Sequence, residues 1–226
     1  MWRVMLVAVA AGVLAGACAE GLSPQEEFVK IMEKTREGTF TVTFDFDAPD
    51  GSREPITWYR MGEWQRTDVD VAPRVSPVTE GYRLTWVSGP QGTYVCSEIA
   101  SSMTRDLAGC VREPTVYGVP FPAGPPAFLL TSISRPDFLD VRRVETRTIV
   151  GGDVRCFGIE ATDGEGGELN VCLMSDGVPL YIELVVAVEG SFTYTANVFS
   201  TEVPEGIFLP PMEIVGENPI CAQLAC

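Results

Sequence analysis

From Thr39 the side chains alternate with a period of two: Phe40, Val42, Phe44 and Phe46 stand between Thr39, Thr41, Thr43, Asp45 and Asp47. A helix would scatter that spacing around its axis. A strand puts the four large apolar groups on one face and the polar ones on the other. The stretch therefore predicts a half-buried strand, ended by the turn residues Ala48-Pro49-Asp50-Gly51. Similar segments follow at Ile56 to Met61, Glu63 to Val71, Gly81 to Val87 and Thr93 to Cys96, with Tyr82, Leu84 and Trp86 lining one face.

The C-terminal part fixes its own register. A turn over Thr162 to Gly166, centred on Gly164, sets Cys156 directly opposite Cys172, Phe157 opposite Val171 and Ile159 opposite Leu169. The two cysteines then fall on the less apolar face, beside Val154, Gly158, Asn170 and Met174. Asp176-Gly177 is a two-residue hairpin signal that aligns Leu180, Ile182 and Leu184 with Leu173, Val171 and Leu169. One apolar face thus continues across three strands. A last turn near Glu189-Gly190-Ser191 leads into Phe192, Tyr194, Ala196 and Val198, a strand that needs a one-residue bulge to stay in phase.

One helix precedes the strands. Ser23-Pro24-Gln25-Glu26 combines an N-cap serine, proline at the first helical position and a glutamate three residues after the cap. The helix should run to about Arg36 and stop at Gly38, with Phe28, Ile31 and Met32 on one face. Between the two groups of strands, Pro114 to Pro136 contains Pro120, Pro122, Pro125 and Pro126 among Phe121, Phe128, Leu129, Leu130 and Ile133. Such a segment cannot be a central strand, so a loop with a short helix near Pro126 to Ile133 is expected, covering apolar surface. The fold class follows: α+β but mostly β, a single incurved antiparallel sheet of about ten strands covered by the N-terminal helix and the proline-rich segment.

Composition narrows the function. Sixteen basic against 31 acidic residues give a formal charge of −15, which argues against nucleic acid and against a polybasic membrane-surface binder. Hydrophobic residues make up 46% of the 226, enough to bury a core in one domain. Histidine is absent, which removes the commonest general base and transition-metal ligand. Both lysines, Lys30 and Lys34, fall in the helix. With no nucleophile elbow, SxxK or phosphate-binding glycine loop, the expectation is a non-enzyme without cofactor or metal. Asp45, Asp47 and Asp50, and the acidic run Asp163 to Glu168, lack calcium-loop spacing and read as solvated turns. Asp68 and Asp70 are given no role, and Arg142 and Arg143, conceivable as headgroup ligands at a rim, read as exposed strand residues offsetting acidic charge.

The N-terminus has the form of an export signal: Arg3, then the uncharged run Val4 to Ala17, then Cys18. The expected division is signal peptide 1–17, lipidated Cys18 with a tether to 22, main domain 23–210 and tail 211–226. Ordinary cleavage after Ala17 or Ala19, giving a freely secreted chain, is the alternative. Seven cysteines are odd for an exported protein, and assigning Cys18 to lipid leaves six in close pairs, Cys96 with Cys110, Cys156 with Cys172 and Cys221 with Cys226. None has metal-site spacing, so three disulfides are the economical reading.

The order of these elements, Cys18, one helix, the Thr/Phe strand, Tyr94-Val95-Cys96, Cys110-Val111-Arg112, Cys156-Phe157 and the Val171-Cys172 hairpin ending Asp176-Gly177-Val178-Pro179-Leu180, resembles the LolA-like lipoproteins, including the lipoprotein carrier LolA and the LppX and LprG type. The resemblance spans about Ser23 to Leu209. It implies a half-barrel whose hollow accepts acyl chains, with lipid or another apolar ligand and the membrane as partners. The chain departs from the soluble carrier in having an anchor and disulfides, and it has no match to the carrier's key arginine. Candidate lining residues are Phe40, Val42, Phe44, Trp58, Trp86, Phe157, Ile159, Val171, Ile182 and Leu184. The same ten would serve equally as an ordinary packed core, in a surface module that meets a protein partner.

Overall fold

A computed structural model describes residues 22–71, 82–99, 107–113, 139–161, 167–186 and 190–215. Helix α1, Pro24–Glu37, begins with the expected capping box: the Glu26 amide donates to Ser23 Oγ, and Glu26 Oε2 accepts from the Ser23 amide. Its end differs from expectation. Gly38 has an ordinary extended backbone at φ −68°, and the last carbonyls are met instead by Arg60, whose Nε and Nη2 donate to the Arg36 carbonyl at 3.1 and 2.8 Å. A buried cation at the negative end of the helix dipole does here what a left-handed glycine does elsewhere.

Eleven antiparallel strands follow: β1 Thr39–Asp47, β2 Arg53–Met61, β3 Trp64–Val71, β4 Tyr82–Gly89, β5 Gly92–Ile99, β6 Leu107–Glu113, β7 Leu139–Ile149, β8 Gly152–Ala161, β9 Gly167–Met174, β10 Pro179–Val186 and β11 Gly190–Ser200. They form one sheet in the order β6-β5-β4-β3-β2-β1-β11-β10-β9-β8-β7. Two meanders therefore meet at a central seam where the first and last strands pair. The expected single half-barrel sheet with one N-terminal helix is the fold observed. The expected short helix near 126–133, Cys18, and the Cys221–Cys226 pair lie outside the described residues.

The β8–β9 register is the expected one, with Cys156 opposite Cys172, Phe157 opposite Val171 and Ile159 opposite Leu169. Cross-strand disulfides join Cys156 to Cys172 and Cys96 to Cys110. Such bonds persist in oxidising compartments, so the chain is an extracytoplasmic type of protein. Three details correct the sequence reading. The β9–β10 turn is longer than two residues, closed by the Met174 amide donating to the Val178 carbonyl. Pro179, not Leu180, stands opposite Leu173, because the register shifts between Pro179 and Tyr181. Leu180 thereby joins Val154 and Met174 on the outer face, where its Cδ1 lies beside Gly152. Third, the bulge in β11 falls at Asn197, between the pairs Thr43–Val198 and Phe44–Ala196, which turns Val198 outward to 61% exposure.

Residues 201–215 form a strap over the outer face of β1–β6. Thr41 Oγ1 donates to the Glu202 carbonyl, Arg66 Nη1 to the Ile207 carbonyl, and Trp64 packs against Phe208. The strap ends at the free edge of β6, where the Cys110 amide donates to the Glu213 carbonyl and the Val215 amide to the Cys110 carbonyl. That short parallel bridge occupies backbone groups that an edge strand otherwise leaves unpaired.

Candidate functional site: the inner face

The face on which α1 packs carries all ten residues expected to line a hollow. Register aligns Val42, Trp58, Thr67, Trp86 and Val95 across β1–β5, and Phe46, Tyr194, Ile182, Val171 and Phe157 across β1 and β11–β8. Nine of the ten are buried, and Leu184 is partly exposed. Thus the alternation that marks each strand also assembles one continuous apolar surface.

Helix α1 is fastened over one end of this face. Phe28 meets Phe157 edge-on at 5.3 Å, and Glu27 takes a two-pronged ion pair from Arg155 at 2.8 and 2.9 Å. At the other end of the helix, Thr35 Oγ1 donates to the Gly177 carbonyl at 2.6 Å and Lys34 Nζ to the Ser175 carbonyl. Burial, reinforced by the Arg36 charge, lowers the pKa of Arg60 to about 10.

Toward the opposite strand ends the inner face becomes aromatic. Phe46 stacks on Phe192 at 6.4 Å and leans on Tyr194 at 4.6 Å, while Phe44 meets Tyr194 edge-on at 6.3 Å. Phe192 and Leu184 pair in register and are partly exposed, so they form the lip of this end. Burial pushes the Tyr194 hydroxyl up to about 12. Phe46, Phe192 and Tyr194 were outside the expected lining set, although Phe46 continues the β1 alternation and the other two continue the face through β10.

The face also holds polar groups. Trp58 is fully buried against the edge of Phe40 at 4.9 Å, and its Nε1 has no hydrogen-bond partner among the described residues. Glu54, Arg60, Thr67 and Ser97 are buried on the same side.

The acidic run at Asp163 and Glu165 lies outside the described residues, whereas on the outer face the other aspartates singled out in the sequence are engaged. Asp47 pairs with Arg53, Asp70 with Arg83, and Asp68 with Arg66 and the Thr85 hydroxyl, while Asp45 accepts from Asn197 and Asp50 from the Ser52 amide. Arg142 pairs with Asp140 and Glu160, and Arg143 donates to Asn170 Oδ1. A recess of about 120 Å³ lies there, floored by Gly158 and the Cys156–Cys172 disulfide and walled by Arg143, Arg147, Tyr181 and Glu183. Burial, then the Glu183 charge, raises the Tyr181 hydroxyl.

No family model matches the chain, and no curated protein matches it. Among solved structures, MucB in complex with MucA(peri) is similar at a TM-score of 0.51 with 13% identity, over 86% of this chain. The chain spans 62% of that MucB chain's length. The Pseudomonas aeruginosa MucA/MucB complex gives a TM-score of 0.49 at 13% identity, covering 83% of this chain and 67% of that one. A LolA superfamily protein from Nitrosomonas europaea gives 0.31 at 11%, covering 84% and 99%. At these identities the first likeness concerns the fold alone.

Proposed function

We propose that the chain is a non-catalytic binding module of the cell envelope, held at the extracytoplasmic face of the membrane by an acylated Cys18, and that it takes the apolar part of a lipid-like ligand on its inner face. The supporting observation is the aromatic end of that face, where Phe46, Phe192 and Tyr194 continue the buried surface to a partly exposed lip at Leu184. Apolar chains laid against it leave water at about 25 cal/mol per Å² of surface removed, without any reacting group. Native mass spectrometry of the chain purified without detergent and lacking residues 1–18, followed by lipid extraction, tests the reading. Lipid at fixed stoichiometry, reduced in Phe46→Asp, is the expected result. An apo mass that persists after incubation with lipid micelles defeats it.

The competing reading is a solid-core module that meets a protein partner. It is favoured by the complete burial of Val42, Phe44, Trp58 and Val171, as in an ordinary core. The similar MucB was solved with MucA(peri), which makes a protein ligand a concrete alternative for this fold. A persistent apo mass would turn the search in that direction.

A further inference from the structure

We propose that the Cys156–Cys172 disulfide is a thiol-exchange site, at which the thiolate of a dithiol entering through the outer recess attacks Cys156, whereas Cys96–Cys110 is a purely structural bond. The site is independent of whatever occupies the inner face.

The two disulfides lie on the same outer face but under different cover. Cys96 and Cys110 are wholly buried, and the strap bonds both backbone groups of Cys110 through Glu213 and Val215. Cys156 and Cys172 instead floor the recess of about 120 Å³, and Cys156 keeps 6% exposure against 1% for Cys172. Exchange requires a thiolate to touch a disulfide sulfur, so access separates the two bonds.

The direction of entry follows from the register. An attacking sulfur must line up behind the sulfur it attacks, on the side away from the one that leaves. For Cys156 that is the β7 side, where Glu145 stands opposite and Arg143 and Arg147 lie two residues to either side on the same face. β7 ends the sheet, so no further strand of the described residues closes this approach. For Cys172 the line runs toward Tyr181 on β10, inside the sheet and partly buried. Gly158 gives the recess its depth, because a Cβ there would stand 3.2 Å from Arg143 Cβ and 3.4 Å from Asn170 Oδ1.

The walls favour an anion. Both carboxylates are already engaged, Glu145 with Arg147 and Glu183 with the Asn170 amide and the Ser191 hydroxyl. Arg143 bonds a neutral group, Asn170 Oδ1, and keeps its charge for an incoming thiolate. The first thiolate of the dithiol forms a mixed disulfide with Cys156 and expels Cys172 as a thiolate. The second then attacks the dithiol's own sulfur in that bond and expels Cys156. Two electrons and two protons pass from the dithiol, which leaves as a disulfide, to the two cysteines, which remain as thiols. The reduced pair no longer ties β8 to β9, whose adjacent residues Phe157 and Val171 belong to the inner face.

The test exposes the full chain to the neutral dithiol dithiothreitol, with timed alkylation and peptide mapping of these four cysteines. Cys156 and Cys172 are expected to be alkylated at least about tenfold faster than Cys96 and Cys110. Arg143→Gln should slow that reaction about threefold, the effect of one unit charge at roughly 7 Å in a near-water dielectric, and leave Cys96–Cys110 unchanged. A loosened hairpin would do the opposite, because the substitution also disturbs the bond to Asn170. Equal rates at the two disulfides, or reduction of Cys96–Cys110 first, overturn the exchange site. A variant as fast as the wild type, or faster, overturns entry past Arg143.

Discussion

The backbone nitrogen of Thr35 stands 2.5 Å from the position that a Cβ on Gly177 would occupy, and Thr35 Oγ1 donates to the Gly177 carbonyl. The last turn of α1 thus rests directly on the β9–β10 loop, at a distance that only a residue without a side chain permits. Gly177 also has φ 94°, so Gly177→Ala combines collision with backbone strain. A loss of about 3 kcal/mol in urea unfolding is expected. Thr35→Val, which removes the donor and strands a buried carbonyl, should cost about 1–2 kcal/mol. Losses under about 0.5 kcal/mol for both would mean that the helix does not dock there.

The disulfides close short loops, with separations of 14 and 16 residues. In the chain-entropy account each contributes about 3 kcal/mol by restricting the unfolded chain. Replacing Cys156 and Cys172 together by alanine, or Cys96 and Cys110 together, should lower the urea midpoint by a similar amount in each case. Peptide mapping that linked Cys96 to Cys156 would contradict the register of both hairpins.

Acid should loosen the helix before the sheet. The hydrogen bonds from Arg155 hold the Glu27 carboxyl below its ordinary value of 4.5. A lowered carboxyl pKa adds stability above the unfolded value, and that contribution is lost as pH falls through the folded one. The pair is partly exposed, so about 0.5 kcal/mol is at stake after screening. Between pH 6 and pH 3 the wild type should therefore lose about that much more stability than Glu27→Gln. Parallel pH profiles would show that the ion pair contributes nothing.

The bulge at Asn197 separates two neighbours that strict alternation puts on one face. Ala196 is buried between Phe44 and its surroundings, whereas Val198 faces out opposite Thr43. Ala196→Val should cost about 1–3 kcal/mol by overpacking, and Val198→Thr should stay within about 0.5 kcal/mol of wild type. The opposite ranking in thermal melts would place the bulge elsewhere.

Most of the inner face was legible because strand periodicity has a single solution once a face is apolar. Phe40 to Phe46, and the β8–β9 register through Cys156 and Cys172, needed no tertiary information. What escaped the sequence was set by backbone irregularity and by distant partners. The bulges at Leu180 and Asn197 each reverse a side chain without any distinctive residue to announce it. Arg60 reads as a surface arginine until β2 brings it beneath the end of α1. Arg142 and Arg143 read as strand residues, but the bounds of β7 were hidden because they and Arg147 interrupt the apolar alternation of an edge, and in β6 Gly109 and Arg112 leave no alternation to follow. Whether the inner residues line a hollow or fill a core is a matter of volume, which periodicity does not encode.

The pairing of β1 with β11 also has a temporal meaning. Phe44 and Ala196 are neighbours across the centre of the sheet, yet some 150 residues of chain separate them. Each meander can zip along its own local hairpins as it emerges, but the join between them must wait for the final strand, whether the chain comes from a ribosome or through an export channel. Until then β1 exposes a raw central edge, and closing so long a loop makes this the slow step of folding. A protein built this way depends on being kept from premature pairing until its last strand has arrived.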